Sequence, residues 1–276
     1  MLTIPTNMAS LEAQKNFGKN QMLLQKSFNR LSSGFRINTA ADDAAGLAIS
    51  ESMKSQIRSY VVAERNANDA ISMTQTAEGA LGDVQDIVAR MRELAMQASN
   101  GSYTSQDRSY MDTEYTSLKS ELTRLQGSAK FNGKDLLQPT ASTVTFQVGL
   151  NNVSSDQIAL TFGGFALSAL VASANTLSGS TPSAALTALG VIDGSMNVIA
   201  TQRSKYGAAM NRLEVVTSSI QTMRLNITAA NSRIRDVDVA EETSVLARNQ
   251  VLSQAGVSVL AQANQLPNMA LNLLQR

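Results

Sequence analysis

The chain contains no histidine, no cysteine and no tryptophan among its 276 residues, and only 4% of it is aromatic. Without histidine or cysteine there is no Ser-His-Asp triad, no Cys-His pair, no histidine-ligated zinc and no thiolate metal site. Carboxylate, lysine and tyrosine chemistry remain. A disulfide-stapled secreted domain is excluded, although a chain without cysteine fits either side of the cell envelope. Few rings means few bulky anchors for a thick core, so thin helix-on-helix packing is the better expectation.

Charge of one sign is also lacking: 23 Lys and Arg stand against 22 Asp and Glu, a formal +1. No long-range field draws the chain to nucleic acid or to an anionic membrane. Nowhere do about 18 apolar residues run together, so no membrane insertion is expected. The first residues, MLTIPTNMASLEAQKNF, lack a basic segment followed by an apolar one and do not form a cleaved signal peptide. By these features alone the chain reads as cytosolic; export would need a route without a cleaved signal.

What the chain does have is apolar residues three and four apart, the signature of a helix with one buried face. Phe17, Leu24, Phe28, Leu31 and Phe35 form such a stripe, which ends near Gly34 and the TAADDAA stretch. From Ala44 to Asn100 there is no proline, and Ala77, Leu81, Val84, Val88, Met91 and Ala95 predict a helix far longer than the usual ~11–12 residues. Asn100–Ser102 stops it, and Met111, Tyr115, Leu118, Leu122 and Leu125 predict a shorter helix folded back antiparallel. Phe131–Leu137 (FNGKDLL) reads as a turn. The period becomes two at Val144, Phe146, Val148 and again at Ile158, Leu160, Phe162, predicting a β-hairpin around Asn151 and Asn152. The Gly/Ser/Ala/Thr-rich stretch 163–182 reads as loop or linker.

Helical texture returns at Ser183. Leu213, Val216, Ile220, Met223, Ile227, Ala230 and Ile234 alternate threes and fours as in a coiled coil. In the last segment Val245, Leu252, Val259, Leu266 and Leu273 recur every seven residues, and Gly256, Ala263 and Ala270 lie four residues after Leu252, Val259 and Leu266. Large and small residues sharing one seam suit close approach of another helix. The fold class expected is therefore mainly α: long antiparallel coiled-coil-like helices from both termini and a small central β-hairpin. The segments fall at 1–43, 44–142, 143–182, 183–235 and 236–276. Narrow stripes leave apolar surface uncovered, and other copies of the chain are the expected cover.

Asp42, Asp43 and Glu51 could be paired catalytic carboxylates, but no nucleophile or cofactor motif accompanies them, and helix capping by the Asp residues is the plainer account. Arg90, Arg92 and Glu93 read as a solvated face with local ion pairs. A carboxylate-bridged metalloprotein of the four-helix kind would need Glu-x-x-His pairs, which a chain without histidine does not have. No cofactor and no enzymatic activity are expected.

Arg30–Ser50 (RLSSGFRINTAADDAAGLAIS) and Arg65–Leu81 (RNANDAISMTQTAEGAL) resemble the N-terminal signature of bacterial flagellins; Ala230–Ser244 and Leu252–Leu274 resemble the C-terminal one. The resemblance implies an inner-core domain formed by the two termini and an outer-tube domain of long helices plus a hairpin. Only about residues 143–182 stand where larger flagellins carry variable domains, as in a minimal flagellin. The resemblance further implies secretion by the flagellar type III apparatus and polymerisation into an extracellular filament. Phe17, Leu24, Phe28, Leu31, Val245, Leu252, Val259, Leu266 and Leu273 would then be inner-core assembly residues. Expected partners are other copies of the chain, an export chaperone on Val245–Leu274, and the filament cap and hook-junction proteins. An animal Toll-like receptor would read Arg90, Leu94, Gln97 and Glu114. A hook-filament junction protein, which shares much of the N-terminal signature, is the alternative.

Overall fold

The computed structural model describes residues 6–164, 167–172 and 175–274, with side chains described up to residue 265. The order of elements is α1 (Met8–Ser33), α2 (Ala44–Ala98), α3 (Ser105–Ser128), β1 (Lys130–Phe131), β2 (Lys134–Asp135), β3 (Ser142–Gln147), β4 (Gln157–Phe162), α4 (Ser168–Val171), α5 (Ser183–Arg235) and α6 (Val239–Leu274). The chain forms two compact units, one of residues 1–57 with 225–276 and one of residues 58–224. The divisions fall inside α2 and α5, whereas the sequence reading had drawn its segment limits at the turns 43/44 and 235/236.

The terminal unit is organised by α1 and α6. Asn7 caps α1 by accepting from the Ser10 amide, and Gly34 ends it in the left-handed conformation (φ 73°), where a side chain would be strained. The carboxylates expected as caps divide the work. Asp43 does cap α2, accepting from the Gly46 amide at 2.9 Å. Asp42 instead accepts from the amides of Asn38 and Thr39 and pairs with Lys26 at 2.7 Å, holding the turn that precedes the helix. These contacts hold the Asp42 carboxyl down at about 2, with Lys26 the largest cause. Glu51 pairs with Arg235 and Asn231 donates to the Ser50 carbonyl, joining the first turns of α2 to the end of α5.

In the other unit, the buried face of α2 follows the predicted stripe. Ala77, Leu81, Val84, Val88, Met91 and Ala95 are all fully enclosed. The same alternation of fours and threes extends upstream through Ala63, Ala67, Ala70 and Thr74, whose hydroxyl is satisfied by the Ala70 carbonyl. α5 lies antiparallel to α2, as the ion pairs show: Glu64 with Arg224, Glu78 with Arg203, and Arg92 with Asp193. α5 includes an 18-residue stretch of mean hydropathy 1.3, long and apolar enough by composition to cross a membrane although polar residues interrupt it. Its Ala185, Ala188, Ile192 and Ile199 are packed in the core of this unit, and Asp193 in the same region is ion-paired, as suits a core helix.

α3 begins at a capping box in which Thr104 and Asp107 bond each other's backbone. It runs back along α2, with the Arg108 guanidinium donating to the Ala98 carbonyl. Asn132 and Gly133, both at positive φ, make the two-residue turn joining β1 to β2. β3 and β4 form the expected hairpin, pairing Val144 with Leu160 and Phe146 with Ile158. Ile158, Leu160 and Phe162 point into the core while Ala159 and Thr161 face out.

The stretch 163–182 is not the open linker that its composition suggested. Leu167, Leu170 and Leu177 are fully buried, α4 lies within it, and three polar side chains of α3 hold it. Arg108 donates to the Gly179 carbonyl, Asp112 accepts from the Leu177 amide, and Lys119 donates to the carbonyls of Ala172 and Asn175 at 2.7 and 2.8 Å. Three leucines suffice to anchor a small-residue segment once a neighbouring helix supplies its missing backbone partners.

Candidate self-assembly surfaces

α1 and α6 pack antiparallel, and the contacts between them are polar or small. Asn7 donates to the Ala263 carbonyl (2.8 Å), Ser10 to the Asn264 side chain (2.7 Å) and Asn20 to the Asn249 carbonyl (2.9 Å), while Arg30 pairs with Glu242. Ser10, Ser27, Glu242, Asn249 and Ala263 are buried on these two helices. A β-carbon on Gly256 would stand 3.1 Å from the Phe17 ring, so the glycine makes the room that Phe17 fills. Gly256 and Ala263 of the α6 seam thus face α1 of the same chain.

Two large members, Leu252 and Val259, are only partly covered by this pairing. Leu252 is 52% and Val259 53% exposed, and Phe28 on α1 is 45% exposed. Phe17, Leu24, Leu31 and Val245 are half-buried, whereas the side chains of Leu266 and Leu273 lie outside the described residues. Met8, Leu11, Met22, Leu23, Val251 and Val257 are exposed as well. Between the helices runs a groove of about 400 Å³ lined by Ala13, Phe17, Leu23, Leu252, Gly256 and Val259. Helix pairing that buries serine, asparagine and small residues leaves Leu252, Val259, Phe28, Met8 and Met22 largely facing water, an apolar surface of the kind that marks an interaction site.

The residues expected to meet a receptor lie on α2 and α3. Arg90 bridges Glu114 at 2.8 Å and Glu93 at 2.9 Å, so the face read as locally paired is cross-linked to α3. Arg92 likewise reaches out of its own helix, to Asp193. Both glutamate contacts keep the Arg90 guanidinium protonated beyond its ordinary range, Glu114 most. Gln97 is exposed and donates to the Tyr103 hydroxyl. Leu94 is different: at 3% exposure it belongs to the core and offers no surface. Among the described residues no group of three or more acidic side chains is placed to hold a metal ion.

A helical protein whose terminal helices pair through small polar side chains and present their large apolar ones outward is, by architecture, an assembling subunit. Residues 4–142 match the bacterial flagellin N-terminal helical region and residues 189–274 the bacterial flagellin C-terminal helical region. The chain belongs to the bacterial flagellin family. It is 42% identical over 274 residues to a flagellin of Halalkalibacterium halodurans, covering 99% of this chain and 100% of that protein. It is 38% identical both to a flagellin of Bacillus subtilis and to the flagellar filament 33 kDa core protein of Treponema phagedenis, each covering 99% of this chain and 100% of the relative. The crystal structure of Bacillus cereus flagellin aligns with a TM-score of 0.50 at 30% identity, over 60% of this chain and 94% of that one. A putative flagellar hook-associated protein from Vibrio parahaemolyticus shares the fold, with a TM-score of 0.58, at only 15% identity.

Proposed function

We infer that the chain is a structural subunit of the bacterial flagellar filament, assembled through the outward apolar faces of α1 and α6 and serving motility without catalysis. The observation that carries this is the segregation on the terminal helices: small and polar side chains inward, Phe28, Leu252 and Val259 outward. Such a surface is satisfied only by further helices, and the relatives named for flagellar filament supply the context. The filament reading is favoured over a hook-filament junction protein because the full-length relatives at 38–42% identity are flagellins and a filament core protein. Electron microscopy of the purified chain after salt-induced assembly tests it; helical filaments are the expected result, and persistent monomer at high concentration contradicts it.

Secretion to the cell exterior by the type III route, capture of Val245–Leu274 by an export chaperone, and contacts with cap and junction proteins complete the proposal. The exposed valines and leucines of α6 support the chaperone reading, since they need cover before assembly. Arg90, Gln97 and Glu114 form the exposed part of a receptor-binding surface, and Leu94 serves it from beneath by fixing α2. Reporter cells carrying the flagellin-sensing receptor should respond to monomer and not to polymer.

A further inference from the structure

We propose that a second contact between copies, separate from α1 and α6, seats the acidic outer face of α2 in a cationic pocket beside α5. This inference rests on the filament reading. The pocket is a cavity of about 520 Å³ bounded by β4, the Gly163–Gly164 turn and one face of α5. Lys205 and Arg212, two helical turns apart on that face, line it together with Gln202 and Tyr206, and no carboxylate lines it. Both cations are exposed, and neither is in any of the eleven ion pairs found among the described residues. Tyr206 is 2% exposed, and its hydroxyl, close to Gln202 and the Gly163 backbone, makes no hydrogen bond of proper geometry.

The complement is on α2. Asp83 and Asp86 are exposed one turn apart, opposite the buried stripe, and among the described residues they make no hydrogen bond or ion pair. Gly79, one turn before Asp83, meets nothing within 4 Å of where a β-carbon would stand, so bare backbone flanks the two carboxylates. A pocket with two unanswered cations and a ridge with two unanswered acids form a heterologous pair: two different patches of one chain that match each other on successive copies. A contact of that type propagates, as an open helical polymer requires, whereas a self-complementary patch closes into a dimer. Isolated surface ion pairs contribute little. Reversing the charges turns attraction into repulsion and makes the effect measurable.

The test uses four full-length chains: wild type, Lys205→Glu with Arg212→Glu, Asp83→Lys with Asp86→Lys, and all four changes together. Far-UV circular dichroism confirms each monomer's fold, and sedimentation gives the critical concentration for assembly. Each reversed pair alone should raise that concentration about tenfold, the factor that 1.4 kcal/mol represents. A 1:1 mixture of the two reversed chains, and the chain with all four changes, should return to near the wild-type value. Normal assembly of either reversed pair, or impairment that persists in the mixture and the fourfold variant, overturns the docking while leaving the filament reading intact. So does equal assembly of all four chains with citrate binding lost only in the Lys205 and Arg212 variants, which would mark a site for small free anions. A wild type that never polymerises overturns the filament reading and this contact with it.

Discussion

Replacing Lys119 with methionine keeps the unbranched side chain up to Cε and removes the ammonium, which tests whether the 163–182 segment is held by polar bonds from α3. Lys119 is 8% exposed, its ammonium donates to two carbonyls and it stands 5.7 Å from the centre of the Tyr115 ring. Burial lowers its pKa, so part of the gain from these bonds already offsets desolvation. Hydrogen bonds to charged groups contribute about 1.5–3 kcal/mol each, and orphaned buried carbonyls cost about 1–3 kcal/mol each. Allowing for the recovered desolvation, Lys119→Met should cost roughly 2–4 kcal/mol, a Tm drop of about 5–12 °C. Methionine at Lys54, which is half-buried and makes a local contact with Glu51, should change stability by less than about 0.5 kcal/mol. Thermal unfolding by circular dichroism measures both, and elastase digestion reports opening of the segment. Equal stability of the two variants, with no faster cleavage near Leu167–Leu177, would refute the polar anchoring.

Gly256→Leu places a side chain against the Phe17 ring and should separate α1 from α6; monomer yield stays normal while sedimentable polymer falls at least about tenfold. Asp42 has a pKa lowered from 3.8 to about 2, so its contribution to stability is complete above about pH 4 and is lost as the pH falls towards 2. Acid titration followed by circular dichroism should show a shallower loss in Asp42→Asn, and identical profiles would contradict the assignment. Glu114→Lys should reduce the reporter-cell response to monomer without altering its melting temperature, whereas Leu94→Ala should reduce the response and also lower that temperature, because it loses packing worth roughly 2–5 kcal/mol of stability. A Leu94→Ala chain as stable as wild type would show that its burial is not what supports the surface.

The long helices and the hairpin were legible in the sequence because periodicity reports burial directly. Ala77 to Ala95 repeat at 3.6, Val144 to Val148 and Ile158 to Phe162 repeat at 2, and the two short runs form the expected hairpin, in which Val144 pairs with Leu160. The 163–182 segment was not legible, because three scattered leucines carry no period and its backbone partners sit some 50–70 residues away on α3. The charged side chains that hold it, Arg108 and Lys119, carry no signal of burial in the sequence, and only the fold shows them enclosed against carbonyls. On α6, spacing places Leu252 and Gly256 on one side of the helix, and it takes Phe17 in position to show that the glycine lies against the ring while the leucine, lining the same groove, stays about half exposed. Leu94 fits the receptor motif by its neighbours in sequence, yet it continues the enclosed face of α2.

The central claim is that the apolar faces on α1 and α6 are completed by other copies of the chain, and Val259→Asp addresses it most directly. Val259 is 53% exposed in the single chain, so the variant's monomer should keep wild-type helicity and melting temperature. Covered by neighbouring helices, the carboxylate would cost several kcal/mol, and no sedimentable filament should form at concentrations where wild type polymerises fully. Filaments of normal length at the wild-type critical concentration would contradict the account.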